Sequence, residues 1–208
     1  MNFELKDRVI WVITALVAVF LVVFASLVMR GVKYQKVADS VVEKPSENDP
    51  IGDGYVWQGG PDDPKKIIIV KIGVDNFIQQ VGVNEKNEIA APYNIFLAGW
   101  YNQSPRPGQK GLSVIDGHLD GFKKNGIFKN LSKLQKGDEL SVLFGNDSSK
   151  KFRVFGVEEV EEKNAMASLF SQNPRVKNQL NLITCGGNYD KSKQYYEKRL
   201  IVSAEMID

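Results

Sequence analysis

The sequence predicts a mainly β domain, an eight-stranded closed barrel or sandwich with short helices in its loops, preceded by one N-terminal transmembrane helix. Three observations lead there. Residues 9–29 are apolar and uncharged, whereas beyond about residue 65 the apolar residues come in short alternating or continuous runs broken by turn formers. No 3.6-residue periodicity is sustained over many turns, and runs of this kind in such number suit a sheet closed on itself or two sheets packed face to face.

At about 1.5 Å per residue, the stretch 9–29 measures roughly 31 Å, which matches the hydrocarbon thickness of a bilayer. Residues 1–8 then form a short tail and 9–29 a transmembrane signal anchor. A cleaved signal peptide competes with this reading, with small residues near Ala25, but the apolar run exceeds a usual signal core. Lys6 and Arg8 precede the span while Arg30, Lys33 and Lys36 follow it, so the count of flanking cations nearly balances. Residues 30–64 are rich in charge, Gly, Pro and Asp, which predicts a flexible linker with an end-to-end distance on the order of 30 Å. One folded domain is expected over 65–208.

Within it, strands are expected at 66–72, 77–81, 95–98, 112–117, 139–144, 151–160, 179–185 and 199–206. Ile127, Phe128, Leu131 and Leu134 are spaced for a short helix before the turn at Gly137 and Asp138, and 165–170 suits another. The cluster Asn146, Asp147, Ser148 and Ser149 marks a hairpin.

With 27 Lys and Arg against 25 Asp and Glu, the net charge of +2 offers no electrostatic footprint for nucleic acid. The chain has one cysteine, Cys185, and one histidine, His118, which excludes an intrachain disulfide and leaves no His and Cys cluster for a metal. No cofactor is expected. The acidic run Glu158, Glu159, Glu161 and Glu162 is where calcium could be held, with a solvated charged edge as the alternative.

Cys185 ends the strand-like run 180–184 and is followed by Gly186 and Gly187, which leave the backbone open to a substrate. Its chemistry requires thiolate, scarce at neutral pH for a free thiol of pKa about 8.5 unless a base or a cation is near. His118 ends the run 113–117, and Arg199 opens the last strand. All three sit at strand ends. Asp116 and Asp120 flank the histidine and either could orient it, although Asp is common at strand ends and turns. Trp100 and Tyr101 could wall a groove or simply pack.

Gly117-His118 after a strand, Leu-Ile-Thr-Cys at 182–185 and the run 198–202 resemble the three motifs of sortases, in the same chain order. The similarity extends over 66–206 and includes Gly-Trp-Tyr at 99–101, Pro107-Gly108, and Gly137-Asp138 before a strand. The segment following Cys185 is similar to that of sortases outside the best-known class, so the class stays open between class F-like and class A-like. One position departs: the family pattern has Thr four residues before the cysteine, and this chain has Asn181.

The resemblance implies an eight-stranded barrel in which His118, Cys185 and Arg199 converge in one groove, with Thr184, Trp100 and Gly186 as substrate-binding candidates. It implies a cysteine transpeptidase of exported proteins that carry a Leu-Pro-X-Thr-Gly-like signal, acting through a thioester. The acyl group would pass to an amine of a cell-wall lipid precursor or a pilin lysine. An enzyme of exported proteins suits a single-pass protein of the cell membrane with its catalytic domain extracytoplasmic. Alternatives are a non-catalytic binding or assembly module of the same fold, and a hydrolytic cysteine protease. Activity is expected to pass through a maximum with pH, because thiolate and imidazolium must coexist.

Overall fold

The computed structural model describes residues 47–52, 54–85, 87–192 and 195–207. The tail at 1–8, the membrane helix expected over 9–29 and the first part of the linker, 30–46, lie outside the described residues. Among the described residues no helix is long and apolar enough to cross a membrane.

The strands are β1 (Pro64–Ile69), β2 (Val74–Val81), β3 (Ala98–Tyr101), β4 (Gly111–Gly117), β5 (Asp120–Gly121), β6 (Lys124–Asn125), β7 (Glu139–Phe144), β8 (Ser149–Glu161), β9 (Asn178–Asp190) and β10 (Tyr195–Met206). One short helix, α1 (Ala165–Leu169), lies between β8 and β9. Eight strands close into a barrel in the order β1-β2-β3-β4-β9-β10-β8-β7, and β5 and β6 form a separate hairpin. This decides for a barrel over a sandwich. Two pairings are parallel, β2 with β3 and β4 with β9, and the others are antiparallel.

Successive side chains of a strand point to opposite faces, so each wall strand fills the barrel with every second residue. Leu180 and Leu182 of β9 join Trp100, Ile115, Phe152 and Val202 in the interior. Fully burying a side chain of this size stabilises the fold by about 1.5–3 kcal/mol. The alternate positions face outward, where Leu112 and Val114 of β4, Ile183 of β9 and Ile201 of β10 pack against Leu169 of α1 in a second cluster. A small core therefore lies outside the barrel wall, beside the site described below.

Three local expectations are corrected. The strand placed at 95–98 occupies Ala98–Tyr101. The helix placed at 127–134 is only a 3-10 turn at Leu131–Lys133, although Ile127, Phe128, Leu131 and Leu134 are all buried. A spacing of three brings apolar residues to one side in a 3-10 turn as well as in an α-helix.

The third correction concerns the linker, which is not free from Glu47 onward. The Glu47 carbonyl accepts the Ile95 N–H at 2.9 Å, and Asn48 Oδ1 accepts the Phe122 N–H at 3.0 Å. Trp57 Nε1 donates to the Ile78 carbonyl at 3.0 Å, and Asp63 pairs with Arg106 at 2.9 Å. A polar segment is held where single side-chain and backbone groups find hydrogen-bond partners on the barrel and its loops.

Candidate active site

Cys185 lies on β9 with Ile183 and Asn181, and these residues leave the outer face of the wall. In the antiparallel pairing of β9 with β10, Arg199 is its direct partner. Opposed residues have Cβ atoms about 4.5–5.5 Å apart, so the thiol and the guanidinium stem rise side by side. On the other flank of β9, β4 runs parallel with Asp116 opposite Ile183. Past β4 the chain brings His118 toward the level of Cys185. Cys185 and Arg199 thus stand side by side within β9 and β10, and only His118 lies at a strand end, just past β4. The expectation that all three sit at strand ends is corrected, because the β9–β10 hairpin runs on beyond the thiol to Asp190 and Tyr195.

His118 Nε2 stands 2.8 Å from the Pro92 carbonyl oxygen. A carbonyl only accepts, so Nε2 carries the proton, and Nδ1 is the nitrogen left to exchange one. Gly99 makes this contact feasible: a Cβ there would lie 2.9 Å from Pro92 Cγ and push the loop off β3. The Arg199 fork is fixed from one side, Nη1 donating to the carbonyls of Tyr196 and Lys198, each at 2.9 Å. Its Nη2 lies 4.0 Å from Glu162 Oε1.

The thiol is half-buried, and burial pushes its pKa up. Arg199 pulls in the opposite direction, while Asp116 and Asp120 add to the rise. The balance of these effects favours the neutral thiol over the thiolate. Asp116 is partly buried, and burial pushes its carboxyl up to about 6 against the pull of His118, the Gly117 N–H and Arg199. A carboxyl whose pKa rises on folding favours the fold below its ordinary value, and this contribution is lost as pH climbs through about 6. Asp116→Asn is accordingly expected to move the pH midpoint of Cys185 alkylation by iodoacetamide downward and to raise the denaturation midpoint at pH 8. An unmoved alkylation profile would show that Asp116 does not act on the sulfur.

Beyond Cys185 the two strands slip register between Tyr196 and Lys198, a bulge in which Gly187 takes the left-handed φ of 69°. Glu159 holds this bulge, one oxygen accepting the Gly187 N–H at 3.1 Å and the other the Lys198 ammonium at 3.0 Å. Lys198 thus points away from Arg199, as neighbours on a strand must.

The remaining candidates divide. Gly186 continues β9 beside the thiol, opposite Lys198. Trp100 and Thr184 are not brought to the cysteine's face: Trp100 is 4 % exposed and Thr184 1 %, both in the interior half of the alternation. Trp100 donates to the Pro105 carbonyl at 3.3 Å, and Thr184 Oγ1 has no hydrogen-bond partner among the described residues. Among those residues no group of three or more His, Cys, Asp or Glu side chains is arranged to hold a metal. Asn181, where the family pattern has Thr, donates to the Leu169 carbonyl at 2.7 Å and so holds the end of α1.

Asp120 and Tyr196 are the residues that the sequence did not single out together. The Tyr196 hydroxyl donates to Asp120 Oδ2, and burial together with that carboxylate holds the phenol well above the usual tyrosine range. Nothing in their 76-residue separation signals the pair.

A sortase-domain model matches residues 67–207. The chain belongs to the sortase family. Solved sortases share its fold: sortase A from Corynebacterium diphtheriae is 22% identical over 73% of this chain and 63% of that one, with a TM-score of 0.53. Sortase C-1 from Actinomyces oris is 25% identical over 70% and 75%, at a TM-score of 0.51. The sortase D5 transpeptidase of Clostridium perfringens is 24% identical over 71% and 80%, also at 0.51. The chain thus spans less than two thirds of the C. diphtheriae protein. No curated protein sequence matches it.

Proposed function

We propose that this sortase is a cysteine transpeptidase acting on exported proteins with a Leu-Pro-X-Thr-Gly-like signal. The observation that carries the proposal is the cross-strand pairing of Cys185 with Arg199, with His118 following the neighbouring strand. The sulfur attacks the Thr carbonyl carbon and the thiol proton passes to His118 Nδ1. The C–N bond then breaks, the proton goes to the departing Gly amine, and a thioester remains. An acceptor amine attacks that thioester, gives up a proton through His118, and the C–S bond breaks to restore the thiol. Arg199 supplies fixed donors to the oxyanion of both steps.

The acceptor is an amine of a cell-wall lipid precursor or a pilin lysine, and residues 9–29 anchor the enzyme in the cell membrane with its barrel outside. The full-length chain is to be incubated with a Leu-Pro-X-Thr-Gly peptide and an amine and followed by mass spectrometry. A thioester adduct on Cys185 and an amine-exchanged product are expected. Product that is only hydrolysed would identify a protease, and no adduct at all would favour a binding module.

A further inference from the structure

The β9–β10 hairpin continues beyond the bulge to Asp190 on one arm and Tyr195 on the other. Tyr196 pairs across it with Tyr189, their rings 5.0 Å apart and inclined at 58°. From this ring the hydroxyl crosses to Asp120 on β5, two residues past His118, and Lys129 Nζ approaches the same carboxylate oxygen at 3.9 Å. The backbone carbonyl of Tyr196 meanwhile accepts Arg199 Nη1. One residue therefore grips the histidine loop with its side chain and the guanidinium with its main chain.

The loop is also tied by Nε2–H to the Pro92 carbonyl, by the Phe128 and Gly126 N–H groups to the His118 and Leu119 carbonyls, and by the Phe122 N–H to Asn48 Oδ1. None of these bonds reaches β10. We propose that Asp120 and Tyr196 are positioning residues whose hydrogen bond latches the His118 loop to the strand carrying Arg199, setting the spacing across the cleft. The proposal rests on the transpeptidase reading for its catalytic consequence, but the latch has a signature of its own. Because His118 is the only histidine, its imidazole Hε1 signal can be assigned without ambiguity by NMR.

The test compares full-length Tyr196→Phe, Asp120→Ala, Asp120→Asn and the Tyr196→Phe, Asp120→Ala double variant. Turnover of a Leu-Pro-X-Thr-Gly peptide is followed together with the pH titration of the His118 signal. Tyr196→Phe and Asp120→Ala are each expected to lower kcat about tenfold with little change in KM, the scale of a modest misplacement of reacting groups. Both should displace the His118 signal, and the double variant should be no worse than either. Asp120→Asn, which keeps an oxygen to accept the hydroxyl, should stay within about threefold of the parent, since a retained neutral hydrogen bond preserves most of the geometry.

An unmoved His118 signal with an unchanged kcat in Tyr196→Phe overturns the latch. So does an Asp120→Asn variant as impaired as Asp120→Ala, because charge rather than the bond would then matter. If Tyr196→Phe does not fold, Asp120→Ala decides by the same criteria. A parent chain that does not turn over the peptide sinks the transpeptidase reading, and the His118 signal alone then decides the latch.

Discussion

Cys185→Ala is expected to eliminate the thioester adduct and to lower turnover on the order of a millionfold, the scale seen when a nucleophile is removed from an acyl-transfer triad. Thioester formation is the first bond change in the proposed reaction, and no other residue of the chain carries a thiol. The fold should tolerate the change. Cys185 stands half-buried on the outer wall, apart from the interior cluster of Leu180, Leu182 and Ile115. The denaturation midpoint should therefore move little, while peptide binding persists with KM-like affinity. Loss of activity with loss of fold would say nothing about catalysis, so circular dichroism accompanies the mass measurement. Turnover near the parent rate in a folded Cys185→Ala chain would remove both the transpeptidase and the protease readings.

Much of the barrel is legible because strand walls repeat every two residues. The run 180–185 alternates Leu180, Leu182 and Thr184 inward with Asn181, Ile183 and Cys185 outward, and the short β7 and β4 runs read equally well. Trp100 shows where that legibility ends. Its strand is four residues long, and placing it at 95–98 instead of Ala98–Tyr101 leaves the facing of Trp100 undetermined. Only the pairing of Trp100 with Ile115, itself beside Leu182, sends the indole into the barrel. The linker misleads for another reason. Average composition over 30–64 is that of a tether, but single anchors such as Trp57 and Asp63 are invisible to an average.

Strand-like runs and chain order single out Cys185, His118 and Arg199 as candidates but not what holds them. They also misplace two of the three, since Cys185 and Arg199 lie within β9 and β10 rather than at strand ends. Asp116 follows the same outward alternation as Val114, so a carboxylate beside the thiol was readable once β4 and β9 were known to be neighbours. That adjacency is a parallel pairing across a long crossover, which no local pattern reports. The Glu159 grip on the bulge and the Asp120–Tyr196 bond are contacts between distant loops and share this opacity.

Arg199→Lys is expected to reduce kcat about a hundredfold despite keeping the charge, the scale of losing a preorganised oxyanion donor. Arg199 divides its work between nitrogens: Nη1 is spent on the carbonyls of Tyr196 and Lys198, and the rest of the planar fork remains for substrate oxygen. An ammonium has one nitrogen on a flexible stem. It can stay with the two carbonyls or reach the substrate, and either choice loses one of the functions. The positive charge beside Cys185 persists in the lysine variant, so the pull of residue 199 on the thiol should largely remain. The pH midpoint of Cys185 alkylation should then move upward clearly in Arg199→Ala and little in Arg199→Lys, while both variants turn over poorly. A lysine variant with parental kcat would mean that charge alone suffices and the fork geometry is dispensable. An alkylation midpoint equally displaced in both variants would mean that the guanidinium's anchored position, held by Tyr196 and Lys198, governs the sulfur as well as the oxyanion.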